Sequence, residues 1–267
     1  MTVSPRGIRT PIRYAHPTDP AGYLVATAHA RSTTSFVAHD TCVANARLVE
    51  ADCTLDGPGF TLVSHKTAVT DFLDQHQVDN IYVPEIEALV ARLTGASRVI
   101  VFHKLGRYEG GEAIGQRQPA GNAHIDYDEG SFRCWVRQEL GEEEAERLLG
   151  KRWAAINVWR GITPVERRPL AFIDGRTVAD DALLTVPILE RVDKTTPYAG
   201  YNIKYDPAQA WYYYPDMQPD EALVFTLFDT DPDRTQRVAH SAIDDPISTP
   251  DAAPRASFEV RTIAFFD

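Results

Sequence analysis

His124-Ile125-Asp126 is the only His-x-Asp in the chain, and one late histidine, His240, follows far downstream. Arg255 and Ser257 come after that histidine, close to the C-terminus. Two imidazoles and one carboxylate suit one face of Fe(II) and leave the remaining positions open for chemistry. A 2-oxo acid can chelate through two of those positions and dioxygen can take the last. A fixed cation further along the chain can then hold the far carboxylate of the cosubstrate. Arginine suits that task because its planar fork pairs with a carboxylate through two hydrogen bonds. Ser257, two residues along a strand, shares the face of Arg255 and can add a third bond. Arg261 has the same parity and is a rival anchor.

Other residues compete for roles. His103 follows an apolar run and reads as a ligand in place of His124, as a pocket residue, or as a polar strand end. Asn157 and Arg160 close an apolar segment, and alternation places them on opposite faces. Arg117, Asn157, Arg160 and His103 are therefore the candidate substrate contacts. Arg160 is expected at the mouth of the site. His16, His29, His39, His65 and His76 have no carboxylate at ligand spacing and read as structural or solvent-facing. The aromatic run Trp211 to Tyr214 reads as sheet packing with one or two rings free for a pocket.

These residues need a scaffold that brings distant segments together. From Arg98 onward the pattern is mainly β. Candidate strands cover Arg98 to Phe102, Trp153 to Arg160, Leu170 to Ile173, Tyr198 to Tyr205, Ala210 to Tyr214, Ala222 to Phe228, Arg237 to Ser241 and Phe258 to Phe266, with turn signals between them. One helix interrupts them. Glu142, Glu143 and Glu144 suit its N-terminal end and Gly150 its stop. The stretch after Asp126 reads as irregular. Earlier, Lys66 to Gln77 and Pro84 to Leu93 read as helices, the second with proline in its first turn and Gly95 as its stop. Residues 1–20 carry Pro5, Pro11, Pro17 and Pro20 and read as an extended, loosely packed arm. The expected fold class is mainly β with flanking α-helices, a double-stranded β-helix (jelly roll, cupin-like). One domain spans 1–267, with the arm at 1–20, a helix-containing elaboration at 21–100 and the jelly-roll core at 98–267.

Arg117-Gln118-Pro119-Ala120 before His124-Ile125-Asp126, then Asn157-Val158-Trp159-Arg160, Trp211-Tyr212-Tyr213-Tyr214 before Pro215-Asp216-Met217, and Pro254-Arg255-Ala256-Ser257-Phe258-Glu259-Val260-Arg261 occur in that order. In this the chain resembles the CmcJ/AsaB-type hydroxylase/desaturase family, which includes a gibberellin desaturase, from about residue 45 to the end. The resemblance implies a jelly-roll Fe(II)/2-oxoglutarate oxygenase. It implies His124, Asp126 and His240 as iron ligands and Arg255 as the cosubstrate anchor. The chain departs from the family at Val101-Phe102-His103-Lys104, where the family reads Phe-Asp-His, and that bears on the substrate more than on the iron.

Composition bounds the alternatives. At 267 residues, 43% hydrophobic and 24% charged, the chain has the balance of a globular protein with a sizeable core. A net charge of −11 argues against a nucleic-acid or anionic-membrane binder. A small-molecule substrate is the expected partner, and the oligomeric state is left open. Cys42, Cys53 and Cys134 show no CxxC spacing, so reduced thiols and a cytoplasmic location are expected. The N-terminus lacks the apolar core of a signal peptide and no run reaches membrane-span length.

The leading expectation is an oxygenase using Fe(II), 2-oxoglutarate and O2 to hydroxylate or desaturate a small molecule of secondary metabolism. Two other readings use the same barrel. A metal-dependent hydrolase or isomerase needs no 2-oxo acid, and a non-catalytic small-molecule-binding barrel needs no metal.

Overall fold

The computed structural model of the protein describes residues 6–18, 22–25, 32–110, 117–189 and 198–267. Pro5, Pro20 and His29 lie outside them. The described residues form fourteen strands. They are β1 (Gly7–Ala15), β2 (Leu24–Val25), β3 (Phe36–Asn45), β4 (Phe60–Ser64), β5 (Arg98–Tyr108), β6 (His124–Ile125), β7 (Trp153–Gly161), β8 (Leu170–Ile173), β9 (Leu183–Leu189), β10 (Ala199–Ile203), β11 (Trp211–Tyr213), β12 (Glu221–Asp229), β13 (His240–Ala242) and β14 (Ala256–Phe265). The α-helices are α1 (Gln75–Gln77), α2 (Val83–Thr94), α3 (Glu129–Leu140) and α4 (Glu142–Leu149).

The strands form a nine-stranded sheet, β1-β3-β11-β8-β13-β6-β10-β9-β2, and a five-stranded sheet, β4-β12-β7-β14-β5. The two inner faces pack together as a jelly roll. Phe60, Trp159 and Phe225 from the smaller sheet share one core with Phe172, Trp211 and Tyr213 from the larger. The outer face of the smaller sheet is covered as well. Ile156, Val158, Val224 and Val260 pack with Ile86, Leu89 and Val90 of α2 in a second core. Every residue of β7 is therefore buried, on both faces. No helix among the described residues is long and apolar enough to cross a membrane.

Several local expectations are corrected. Residues 7–15 are extended, but they are no loose arm. β1 pairs with β3 from Gly7↔Ala44 to Ala15↔Phe36, and Ile8, Ile12 and Tyr14 are buried. Pro11 is compatible with this because β1 is the last strand of its sheet, where a missing N–H faces no partner. Residues 21–100 likewise contribute β3 to the larger sheet and β4 to the smaller one. Lys66 to Gln77 is not one helix. The helix begins only after Asp74, whose carboxylate accepts from the backbone N–H of His76 and Gln77. Upstream, Thr67 and Thr70 turn their hydroxyls to Glu85 and Gln77, side-chain bonding that competes with helix. α2 behaves as its pattern predicts, with Pro84 in the first turn and Gly95 at φ 74 as its left-handed cap.

Two helices, not one, interrupt the strands. α3 was hidden in the acidic stretch after Asp126. Asp128 caps it by accepting from Ser131 N at 2.8 Å, and Phe132 and Val136 form its buried face. The strand expected from Arg237 is shorter, because Arg237 sits at φ 67 and cannot be part of an extended ladder. β13 starts at His240.

Candidate metal centre

β6 has only two residues, and it lies between β13 and β10. The register pairs His240 with His124 directly across the β13–β6 ladder. Residues opposite each other project to the same side of a sheet, so both imidazoles face the interior. Their ring centroids are 4.4 Å apart. Asp126 is two positions after His124 and so returns to the same face. Its Oδ1 lies 3.8 Å from His124 Nε2 and its Oδ2 lies 3.7 Å from His240 Nε2. Ligand atoms of all three residues lie within 4.8 Å of one another.

The protonation states suit a cation. His124 Nδ1 is 2.8 Å from the Asn122 carbonyl oxygen. A carbonyl only accepts, so Nδ1 carries the proton and Nε2 keeps its lone pair. Burial, with His240 beside it, pushes His124 down to about 3, so the ring is neutral. His240 is buried, and neither ring nitrogen has a hydrogen-bond partner. A buried imidazole without any partner is costly unless something else fills its lone pair. Two imidazoles and one carboxylate fit the facial donor set of a non-haem iron site.

Asp126 is held by two neighbours. Asn157 Nδ2 donates to Oδ2 at 2.7 Å, and Arg261 Nη2 donates to Oδ1. Burial opposes ionisation of this carboxyl, but Arg261 and the two histidines outweigh it and hold it well below the usual carboxylate range. Arg261 also donates to Glu259 Oε1 at 2.7 Å and to His103 Nδ1 at 3.0 Å. Burial and Arg261 push His103 down to about 3.

The structure thus separates the candidates read from sequence. His124, Asp126 and His240 converge. Arg261 is fully engaged with Asp126, Glu259 and His103, so it is not a free cosubstrate anchor. Asn157 lines neither cavity and bonds to Asp126 instead. Arg160 does not reach the site. It lies on the opposite face of β7, where it donates to the Pro219 carbonyl at 3.3 Å and to His65 Nδ1, and packs over Tyr82. Alternation along β7 had put Arg160 opposite Asn157, but with both faces buried the sequence could not say which face is inner. His65 is accordingly a partner of Arg160 in the outer core.

Arg255 and Ser257 lie on the inner face of the β14 segment. Arg255 is 2% exposed. Its Nη1 donates to the Arg168 carbonyl at 2.6 Å, its Nε has no partner, and no carboxylate pairs with its guanidinium. Burial, then Arg107 and Arg168, push it down to about 9. It borders a void of about 10 Å³ shared with His124, His240 and Trp159. The Trp159 indole N–H is also without a partner. Ser257 is fully buried, and its hydroxyl makes only a long bond, 3.5 Å, to the Arg107 carbonyl.

A larger cavity of about 250 Å³ also borders the triad, at His124 and Asp126. Its lining includes the polar His124, Asp126, His103, Arg107 and Arg117 and the largely apolar Tyr127, Trp135, Val186, Ile188 and Tyr198. Arg107 borders both spaces and was missed from sequence. It lies in no recognisable motif, although its odd parity in β5, opposite Ser257, is a signal once the register is known.

The chain matches the model of the family described as Oxidoreductase/YMDC permease-like domain over residues 12–265. It is 34% identical over 224 residues, 80% of each chain, to the alpha-ketoglutarate-dependent dioxygenase phiK of a fungal species. It is 35% identical over 193 residues, 72% of this chain and 69% of the relative, to the Fe(II)/2-oxoglutarate-dependent dioxygenase nvfI of Aspergillus novofumigatus. Other relatives are named hydroxylase/desaturase. The solved structure of the iron and alpha-ketoglutarate-dependent endoperoxidase NvfI matches with a TM-score of 0.88 at 29% identity, over 98% of this chain and 99% of that one. Fold, donor set and kinship together define an Fe(II)/2-oxoglutarate-dependent dioxygenase. The chain belongs to the Oxidoreductase/YMDC permease-like domain family, and its relatives include hydroxylase/desaturases and Fe(II)/2-oxoglutarate dioxygenases.

Proposed function

We propose that His124, Asp126 and His240 hold one Fe(II), that Arg255 anchors the far carboxylate of 2-oxoglutarate, and that the enzyme hydroxylates or desaturates a small secondary metabolite bound in the larger cavity. The observation that carries this is His240, a buried imidazole with both nitrogens unpartnered, 3.7 Å from a carboxylate. With O2 and 2-oxoglutarate, iron in such a site supplies an oxidant strong enough to remove hydrogen from an unactivated carbon. The protein's own part is positional. Asn157 and Arg261 fix the orientation of Asp126, and the Asn122 carbonyl fixes the tautomer of His124.

Arg255 suits the anchoring role because it is the buried guanidinium without a carboxylate near the two histidines. Ser257, on the same face, is the assisting hydroxyl. The void beside Arg255 has the volume of a single water molecule, so a five-carbon diacid has to displace side chains as it enters. Kinship with dioxygenases favours this reading over a hydrolase, an isomerase or a non-catalytic barrel. Three unpaired cysteines fit a reducing compartment, and we place the enzyme in the cytoplasm.

Anaerobic Fe(II) titration tests the assignment. The parent is expected to bind one iron per chain, and His124→Ala and His240→Ala are expected to lose most of that affinity. Parent-like binding by both variants would remove the assignment.

A further inference from the structure

Arg107 and Arg117 face each other across an isolated β-bridge, and both line the larger cavity. Like charges directly opposite one another on adjacent strands repel. Arg107 has partial compensation, with Glu259 Oε2 at 3.9 Å from its Nε and the Gln118 carbonyl at 3.0 Å from its Nη1. The Arg117 guanidinium has neither a hydrogen bond nor an ion pair among the described residues.

The charge balance around the centre shows what is missing. Among the described residues, Arg107, Arg117, Arg255 and Arg261 line these two spaces, and Asp126 and Glu259 are the carboxylates that line them. Iron and 2-oxoglutarate carry equal and opposite charges, so binding both leaves the positive excess in place. Arg255 is taken by the cosubstrate in the reading above, and Arg261 is taken by Asp126 and Glu259. Arg117 remains, with Arg107 beside it. Burial, then Arg107 and Arg261, hold Arg117 below its ordinary value. Aromatic rings line the same cavity. Trp135 and Tyr198 stack with centroids 4.8 Å apart and planes 7° from parallel, and Val186 and Ile188 line it with them.

From this we infer that the substrate is an organic acid, whose carboxylate is held by Arg117 with Arg107 beside it and whose apolar body packs against Trp135, Tyr198, Val186 and Ile188. The inference rests on the proposed iron and 2-oxoglutarate reading and narrows it to a substrate class. A guanidinium presents a fork that matches a carboxylate in two bonds, while the aromatic wall rewards apolar area without adding polar demands. Arg117 is then a specificity-determining residue for the reaction.

The test uses the anaerobic Fe(II)·2-oxoglutarate enzyme and a panel of aryl and alicyclic carboxylic acids, each matched with its neutral primary amide. Binding is read by equilibrium dialysis. The parent is expected to bind members of the acid series at least tenfold more tightly than their amides. Arg117→Gln is expected to erase that preference, and Arg117→Lys to restore part of it. The melting temperature of each variant shows that it is folded.

Equal binding of acids and amides by the parent overturns the inference, and so does binding of no acid at millimolar concentration. A parallel titration of 2-oxoglutarate separates the two possible sources of the carboxylate. Arg117→Gln is expected to leave cosubstrate affinity within about twofold. If it weakens 2-oxoglutarate tenfold and leaves the acid preference intact, Arg117 serves the cosubstrate and the inference is wrong. Failure of the parent to bind iron would instead strike the underlying reading, and it shows in the metal titration before any acid is added.

Discussion

Replacing Arg255 by glutamine removes a guanidinium that the free protein has little use for. Arg255 is 2% exposed, its Nε is unpartnered, and its one side-chain hydrogen bond goes to a backbone carbonyl. Burial pushes it down to about 9, so its charge opposes folding at neutral pH. Glutamine gives up packing over Trp159 but also relieves that opposition. The free variant is therefore expected to melt within a few degrees of the parent or above it. Cosubstrate binding should tell the opposite story. Removing one partner of a buried charge pair costs about 2–5 kcal/mol, or roughly 30-fold to several thousandfold in affinity. The visible charge-transfer band of the anaerobic Fe(II)·2-oxoglutarate complex gives the titration, and thermal unfolding with and without 2-oxoglutarate gives the stability.

Arg261→Gln is the contrasting variant. It strands the buried carboxylates of Asp126 and Glu259, and breaking buried pairs of this kind costs about 3–5 kcal/mol. For a chain of this size that lowers Tm by roughly 6–20 °C. The reasoning is refuted if Arg255→Gln melts far below the parent while titrating 2-oxoglutarate normally. It is equally refuted if Arg261→Gln alone abolishes cosubstrate binding in a protein of parental stability.

Three other outcomes follow from the same geometry. Arg160→Gln is expected to lower Tm, because Arg160 bonds to His65 and the Pro219 carbonyl in the outer core, and to leave iron and 2-oxoglutarate affinities within about twofold; weaker cosubstrate binding at unchanged Tm would contradict its placement. His103 and His124 both titrate near about 3 in the folded protein, below the ordinary value of 6.5, so below about pH 6.5 the unfolded chain binds protons that the folded chain does not. Stability is then full above that pH and falls as pH drops toward 3, by up to about 1.4 kcal/mol per pH unit for each histidine; His103→Gln is expected to flatten the slope, and an unchanged slope in urea titrations at pH 4–7 would count against a buried neutral His103. A Cβ on Gly200 would stand 2.5 Å from the Asp126 carbonyl oxygen and 2.9 Å from that of Ile125, so Gly200→Ala is expected to cost about 1–3 kcal/mol and to weaken iron binding measurably, whereas parental stability and iron affinity would show that β10 has room to move.

What was legible in the sequence divides along physical lines. The residue types of the centre were legible, because a carboxylate two positions from a histidine on an extended segment must share its face. Arg255 could be singled out by its place after His240, but its burial beside the two histidines came only from the fold. The pairing of His240 with His124 was not, since β-sheet register between segments so far apart is set by the whole core. Asn157 illustrates the same limit. Its burial was readable, but its partner, Asp126, comes from another sheet. Arg160 was misplaced because β7 is covered on both sides, so hydrophobicity does not mark the inner face. β1 was misread through its prolines, although Ile8, Ile12 and Tyr14 alternate as an edge strand should. α3 was lost because its acidic start masked a cap at Asp128 and the spacing of Phe132 and Val136. Arg107 and Arg117 became significant only when the fold placed two like charges opposite each other.

The central claim is that one Fe(II) sits among His124, Asp126 and His240. The most direct measurement is anomalous diffraction at the iron edge from anaerobically loaded crystals. A single peak per chain is expected, within bonding distance of His124 Nε2, a ring nitrogen of His240 and a carboxylate oxygen of Asp126. A peak that leaves His240 unligated, or iron bound only at other residues, would contradict the account.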